Sequence, residues 1–202
     1  IKEGGNDPET NPRLRLIIEK AKAANMPNDN IKRTLDKADK DTTTWMEITY
    51  EGYGPGGVAV LVNCLTDNIN RTAASVKSDF NKGNGNLGTN GSVSYLFETK
   101  GVLVLDSETY NADDVMMIAL EAEVLDVRED GAVIVIETEP AKFISTKETL
   151  EANDITEFLS SEVTKVAASE IDLDESTQDK LDRLIDMLEE NEDVQDVYTN
   201  AK

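Results

Sequence analysis

The chain has 202 residues, 39% of them hydrophobic, and a formal net charge of −21. That length carries a real core and two or three small domains; no apolar run reaches the roughly 18 residues of a membrane span, and a single cysteine excludes a disulfide framework. There is no histidine, which removes the usual general base, the Ser-His-Asp and Cys-His arrangements and most zinc sites, so a hydrolase is disfavoured; catalytic carboxylates are left unsupported, and no cofactor or metal site is expected.

The first element is a helix within residues 11–26, NPRLRLIIEKAKAANM, with Asn11 as N-cap and Pro12 at the first helical position. Leu14, Ile17, Ile18 and Ala21 recur at helical spacing and predict its apolar stripe. Arg13, Lys20 and Lys22 flank that stripe and Arg15 lies away from its centre. Pro27 breaks this helix and starts another, with Ile31, Leu35 and Ala38 inward and Lys32, Arg33, Lys37 and Lys40 elsewhere. The first forty residues thus read as a helical hairpin with basic outer faces. Two helices make a poor core alone, so a preceding helix or the next domain is expected to cover them.

From Thr43 the pattern changes. EITYEGYG and GVAVLVNCL predict strands around a glycine-rich turn, Gly52 to Gly57. Cys64, inside the second of these, reads as a small buried side chain rather than a nucleophile, and a reducing cytosol fits it. A helix follows over about 70–82, with Ala73, Val76 and Phe80 on one face. SVSYLFE and GVLVLD predict a hairpin around Thr99-Lys100-Gly101. The segment 111–123 predicts a helix, and VLDVRED and AVIVIET a second strand pair around Asp130-Gly131. Ser145-Thr146-Lys147-Glu148 matches a capping box opening a helix through Ala152. A strand within 158–167, a helix over about 174–190 and a final strand VQDVY complete the order. Paired strands predict an α+β fold with antiparallel sheets, with boundaries near 42, 92 and 160.

Charge is unevenly distributed. Residues 1–40 carry nine Lys/Arg and seven Asp/Glu, residues 41–100 four and six, and residues 101–202 seven and twenty-eight. An acidic body keeps a protein soluble and repels phosphate, whereas a neutral-to-basic head need not.

Gly83-Asn84-Gly85-Asn86-Leu87-Gly88 fits the dinucleotide pattern G-x-G-x-x-G. A cofactor site requires a strand before the first glycine and a helix after the last. Here a helix precedes and a strand follows, so the glycines read as a helix-to-strand loop in which they relax the backbone. GYGPGG lacks the Lys-Ser/Thr pair of a phosphate-cradling loop and reads as a turn needing positive φ. What remains is binding: the basic helical face, with Arg13, Arg15, Lys20, Lys22, Lys32, Arg33 and Lys37, joined by Asn70, Arg71, Lys77 and Lys82 on the third helix. Glycine loops nearby offer backbone N–H groups to phosphate or sugar.

The segments GGNDPETNPRLR (4–15), NMPNDNIKR (25–33), YEGYGPGGVAVLV (50–62), LTDNINRT (65–72), GNLGTNGSVSYLF (85–97) and LDESTQDKLDRLIDMLEENEDVQDVYTN (173–200) together resemble the YebC family, which includes the mitochondrial translational activator of cytochrome c oxidase. The resemblance implies an N-terminal helical domain (1–42) followed by two α+β domains, the last (93–160) inserted within the second (43–92 plus 161–202). It implies a non-enzymatic, cytoplasmic, DNA-binding transcriptional regulator, or alternatively a ribosome-associated translation factor contacting rRNA and basic ribosomal proteins. No membrane and no small-molecule substrate are expected. The family carries a strongly basic segment ahead of the part matching GGNDPE, and Ile1 begins without it; a native beginning, and part of a nucleic-acid grip, are expected to be missing. Residues 108–170 match more loosely, and no partner contacts are carried over there.

Overall fold

The computed structural model describes Ile1 and residues 4–202; Lys2 and Glu3, which enter the count of charges in the first forty residues, lie outside it. Two compact units emerge, residues 1–44 and 45–202.

The first unit is a helical hairpin. Helix α1 (Pro12–Ala23) opens where the Asn11 side chain accepts the Leu14 N–H at 3.1 Å, with Pro12 in the first turn. Asn25 takes the left-handed conformation, φ 59°, and turns the chain. Pro27 then serves as the N-cap of α2 (Asn28–Lys40). Leu14 and Ile31 are the buried apolar residues of this unit, with Ile18, Ala21, Leu35 and Ala38 half-buried. The predicted stripe on α1 needs one correction. Ile17 is 58% exposed, whereas Leu16, outside that stripe, is half-buried along with Ile18 and Ala21.

The second unit holds two four-stranded antiparallel sheets. The first has the order β3-β1-β2-β8, built from β1 (Met46–Tyr53), β2 (Ala59–Thr66), β3 (Asn86–Leu87) and β8 (Val194–Thr199). The turn joining β1 to β2 has Gly56 and Gly57 at φ 74° and 78°, as its glycines predict. Helices α3 (Ile69–Lys82) and α6 (Glu175–Glu189) pack together on this sheet. Val58, Val60, Val62 and Cys64 form its core with Val76 and Phe80 of α3 and Leu181, Leu184 and Leu188 of α6. The alternate residues Ala59 and Leu61 face Val93, Phe97 and Tyr198. Burial on both faces is why β2 reads as a nearly unbroken apolar run. Burial and the nearby Asp193 push the Cys64 thiol up to about 11, so it is an inert packing group.

The second sheet, order β5-β6-β4-β7, lies between β3 and β8 in the chain. It comprises β4 (Phe97–Asp106), β5 (Asp126–Asp130), β6 (Val133–Thr138) and β7 (Ser160–Ala167), with α4 (Ala112–Glu121) and α5 (Phe143–Ala152). Leu103 pairs with Ile136 and Leu105 with Ile134, all fully buried. The fold is therefore α+β, with helices preceding two antiparallel sheets.

Three local expectations are corrected. No hairpin forms at Thr99-Lys100-Gly101, because β4 runs continuously through them. Gly101 is needed for close approach, since a Cβ there would meet the Thr138 hydroxyl and lie 2.8 Å from Cβ of Phe143 on α5. The capping box does not open α5, which starts at Phe143; Ser145 Oγ instead donates to the Lys142 carbonyl at 2.9 Å. A boundary at 160 would cut β7 from its sheet, since β7 pairs with β4 along its whole length, from Phe97–Ala167 to Val104–Ser160.

Candidate nucleic-acid interface

On the first unit, Arg13, Arg15, Lys20, Lys22, Lys32, Arg33 and Lys37 are all exposed. At about 100° per residue, Arg33, Lys37 and Lys40 fall on one face of α2 at i, i+4 and i+7, opposite Ile31, Leu35 and Ala38. Asp36 shares that face. On α1, Arg15 and Lys22 are seven residues apart and form a second exposed cationic edge. Among the described residues, Arg15, Lys22, Lys32, Arg33, Lys37 and Lys40 make no ion pair, whereas Arg13 and Lys20 do have partners within the protein.

The third-helix residues divide. Asn70 and Lys77 lie seven residues apart on the exposed side of α3, while Arg71 and Lys82 lie on a neighbouring stripe. Lys77 and Lys82 make no ion pair among the described residues. Arg71 is engaged within the protein. Its guanidinium donates Nη2 to Asp193 Oδ1 at 2.8 Å, Nε to Asp193 Oδ2 at 3.2 Å and Nη2 to Asp67 at 2.8 Å. Thr72 Oγ1 donates to the same Asp193 at 2.7 Å. Hydrogen bonds from Arg71 hold the Asp193 carboxyl below its usual range, although burial opposes them. Two carboxylates face this one cation, so Arg71 ties α3 to the turn before β8 and presents little free positive charge.

The glycine-rich stretch Gly83–Ser92 is also tied inward. Helix α3 ends at Lys82 and only the two-residue strand β3 follows, so the strand-then-helix order of a dinucleotide site is absent. Gly83, Gly85 and Gly88 are not in the left-handed region; Asn84 and Gly91 are, at φ 58° and 84°. The glycines allow close approach instead of relaxing the backbone: a Cβ at Gly85 would lie 2.7 Å from the Tyr53 carbonyl, and one at Gly83 2.7 Å from Leu184.

The backbone N–H groups expected to face phosphate have an internal acceptor, Glu51. The Gly91 N–H donates to Oε1 at 2.7 Å, those of Val93 and Ser94 donate to Oε2 at 2.8 Å, and the Gly88 N–H donates to the Glu51 carbonyl at 2.8 Å. Tyr53 Oη donates to the Ser92 carbonyl at 2.9 Å. Burial pushes the Glu51 carboxyl up, but the three N–H bonds outweigh it and leave it below the ordinary carboxylate range. This buried acid is not legible in the strand pattern MEITYEGY, where Glu47, Thr49 and Glu51 alternate onto what reads as a solvated face. Only the returning loop covers it. A second buried acid, Glu137, receives Lys100 at 2.8 Å and Arg128 at 2.6 Å across the other sheet.

A cleft of about 510 Å³ is lined by Thr49, Glu51, Asn63, Asn90, Ser94 and Lys165, among others, and by none of the eleven expected site residues. Among the described residues, no group of three or more His, Cys, Asp or Glu is arranged to hold a metal ion, and no helix is long and apolar enough to cross a membrane. The structure thus offers a surface of separated cations on the helical hairpin and a second, smaller set on α3.

Comparison with known proteins identifies this architecture. Residues 1–41 match the TACO1/YebC protein N-terminal domain, and residues 45–201 match the TACO1/YebC second and third domain. A probable transcriptional regulatory protein of a Nitratiruptor species is 53% identical over all of this chain and 85% of its own length. The probable transcriptional regulatory protein YrbC of Bacillus subtilis (strain 168) is 47% identical over all of this chain and 85% of its own length. The crystal structure of a conserved hypothetical protein from Aquifex aeolicus superposes with a TM-score of 0.83 at 40% identity, covering 98% of this chain and 83% of that one. With both of its compact units matched and relatives about half identical over 85% of their own length, the chain belongs to the TACO1/YebC family of regulatory proteins.

Proposed function

We propose that this protein is a non-enzymatic regulator of gene expression that binds the phosphate backbone of nucleic acid through its N-terminal helical hairpin, with DNA as the first target to test. The observation that carries this reading is the set of exposed cations, Arg15, Lys22, Lys32, Arg33 and Lys37, that make no ion pair among the described residues. A cation already paired inside the protein, as Arg71 is, contributes little field outside; one without a carboxylate partner attracts phosphate and releases its counterions. Such contacts position a protein on a duplex or a folded RNA and carry no sequence information. The name shared by the relatives, probable transcriptional regulatory protein, supports the regulatory part of the reading. Cytoplasmic residence goes with it.

The test is charge reversal in the full chain. Arg15→Glu, Arg33→Glu and Lys37→Glu together should weaken binding to a labelled duplex and to a labelled rRNA hairpin, measured by fluorescence anisotropy. The slope of log affinity against log salt should fall by about 2–3, at roughly 0.7–0.9 per lost phosphate contact. Unchanged affinity and slope would remove the hairpin as the binding surface.

A second reading, a ribosome-associated translation factor contacting rRNA, is favoured by the charge separation. Residues 101–202 carry twenty-eight Asp/Glu against seven Lys/Arg, so bare duplex is repelled by the body while a ribosome also presents basic proteins. Crosslinking in cells with joint recovery of DNA and RNA decides between the two. The domain plan that accompanies both readings has a helical head over 1–42 and a central domain carrying the first sheet. Its third member, inserted from about 93, carries the second sheet, and its return is drawn beyond Ala167 on the strength of the β4–β7 pairing.

A further inference from the structure

The outer face of α4 is apolar where a solvent-facing helix surface is ordinarily polar. At about 100° per residue, Met116, Met117 and Leu120 lie away from the buried Val115 and Ala119. They are 39%, 64% and 64% exposed, and Leu125, just after the helix, is 52% exposed. Single exposed apolar residues are normal on any surface; three on adjacent turns of one short helix form a patch.

The rim of this patch is anionic. Asp113 and Asp114 stand in the first turn of α4 and Glu121 in its last. Among the described residues none of these three makes an ion pair. The cations that the fold brings to the following segment are already engaged, Lys142 by Glu123 at 2.8 Å and Arg128 by Asp126 and Glu137. The helix dipole accounts for two acids at the N-terminus. It does not account for Met116, Met117 and Leu120 pointing outward.

We infer that this face docks a cationic amphipathic segment of a partner protein. Its apolar residues, spaced i, i+3 or i+4, i+7, seat on Met116, Met117 and Leu120, and its Lys or Arg residues meet Asp113, Asp114 and Glu121. Charge complementarity selects this occupant. A second copy of the chain presenting the same face would bring like charges together across a two-fold axis. Unbranched, polarisable methionine suits a surface that adapts to varied apolar partners. The inference is independent of nucleic-acid binding, because α4 and the helical hairpin belong to separate compact units and the test contains no nucleic acid.

The probe is a fluorescein-labelled peptide of leucine and lysine, about 18 residues long, with leucine at helical spacing; the control has the same composition in a scrambled, non-amphipathic order. Fluorescence anisotropy with the full chain should show saturable binding that weakens with added salt. Met117→Gln with Leu120→Gln, which leaves the charge unchanged, should weaken it about tenfold, and Asp113→Asn with Glu121→Gln should weaken it and flatten the salt dependence. Circular dichroism and melting confirm that these exposed substitutions leave the fold intact. Equal binding of the scrambled peptide overturns the inference, as does no binding at about 100 μM or an unchanged affinity in Met117→Gln with Leu120→Gln. Sedimentation showing self-association that this double variant abolishes would assign the face to a second copy, and would also overturn it.

Discussion

Replacing Glu51 by glutamine tests the internal anchor of the glycine-rich loop. The side chain is 5% exposed, and its two oxygens accept N–H groups from Gly91, Val93 and Ser94 at 2.7–2.8 Å. Glutamine keeps the shape but turns one oxygen into an NH2 group. The favourable orientation keeps the carbonyl toward Val93 and Ser94 and points the amide at the Gly91 N–H, donor against donor. One charge-assisted bond is lost and the other two weaken to neutral strength, a destabilisation of about 2–4 kcal/mol. For a unit of this size that lowers Tm by roughly 5–15 °C. Glu51→Ala leaves all three N–H groups without their acceptor and should be worse, about 3–5 kcal/mol after the loop relaxes toward water. The sign with pH follows from the depressed folded-state value. The stabilisation is present above the unfolded carboxylate pKa of about 4.3 and is lost as pH falls through the lower folded value. Glu51→Gln should therefore differ most from the parent near neutral pH, and the gap should narrow in acid. Urea denaturation gives the magnitude, and hydrogen exchange at Gly91, Val93 and Ser94 localises it. Equal urea midpoints with unchanged protection of those amides would contradict the anchoring role of Glu51.

Arg71→Gln should lower thermal stability by releasing Asp193, yet leave nucleic-acid affinity within about twofold, since its charge is already compensated; a loss as large as that from the hairpin charge reversals would restore Arg71 to the interface. Gly101→Ala should destabilise by about 1–3 kcal/mol through overpacking against Phe143, read as a lower urea midpoint with unchanged slope. Gly131→Asn, in the open β5–β6 turn at φ 60°, should shift stability by less than about 1 kcal/mol. Glu137→Gln should weaken the second sheet and flatten its acid sensitivity between about pH 4.3 and the lower folded value, because burial raises that carboxyl while Lys100 and Arg128 bring it below its ordinary range. A melting profile against pH identical to the parent's would count against that ion-pair network.

Much of the fold was legible because local chemistry and tertiary packing agree. Asn11-Pro12 opens α1, Asp130-Gly131 turns β5 into β6, and Val76 and Phe80 lie on the buried face of α3 as their spacing predicts. The errors fall where a local signal has two physical meanings. Gly101 marks a turn in one context and a close helix–strand approach in another, and Ser145–Glu148 forms a capping box only if the helix begins there. Ile17 shows the limit of a stripe drawn by spacing alone, since spacing does not say how much of an apolar face a neighbouring element covers.

The candidate interface follows the same division. The order of residues along the chain was enough to say which are cationic, that the hairpin helices turn them outward, and that the acidic excess falls in the second half, because charge and helical periodicity are local properties. Which of those charges are already answered emerged only from the folded chain. Asp193 lies far along the chain from Arg71, and the Gly88–Ser94 loop closes on Glu51 from a distant position, so neither compensation can be read from neighbours in sequence. Electrostatic and hydrogen-bond partners are chosen by distance in space, and that distance exists only once the sheets have brought distant stretches of the chain together.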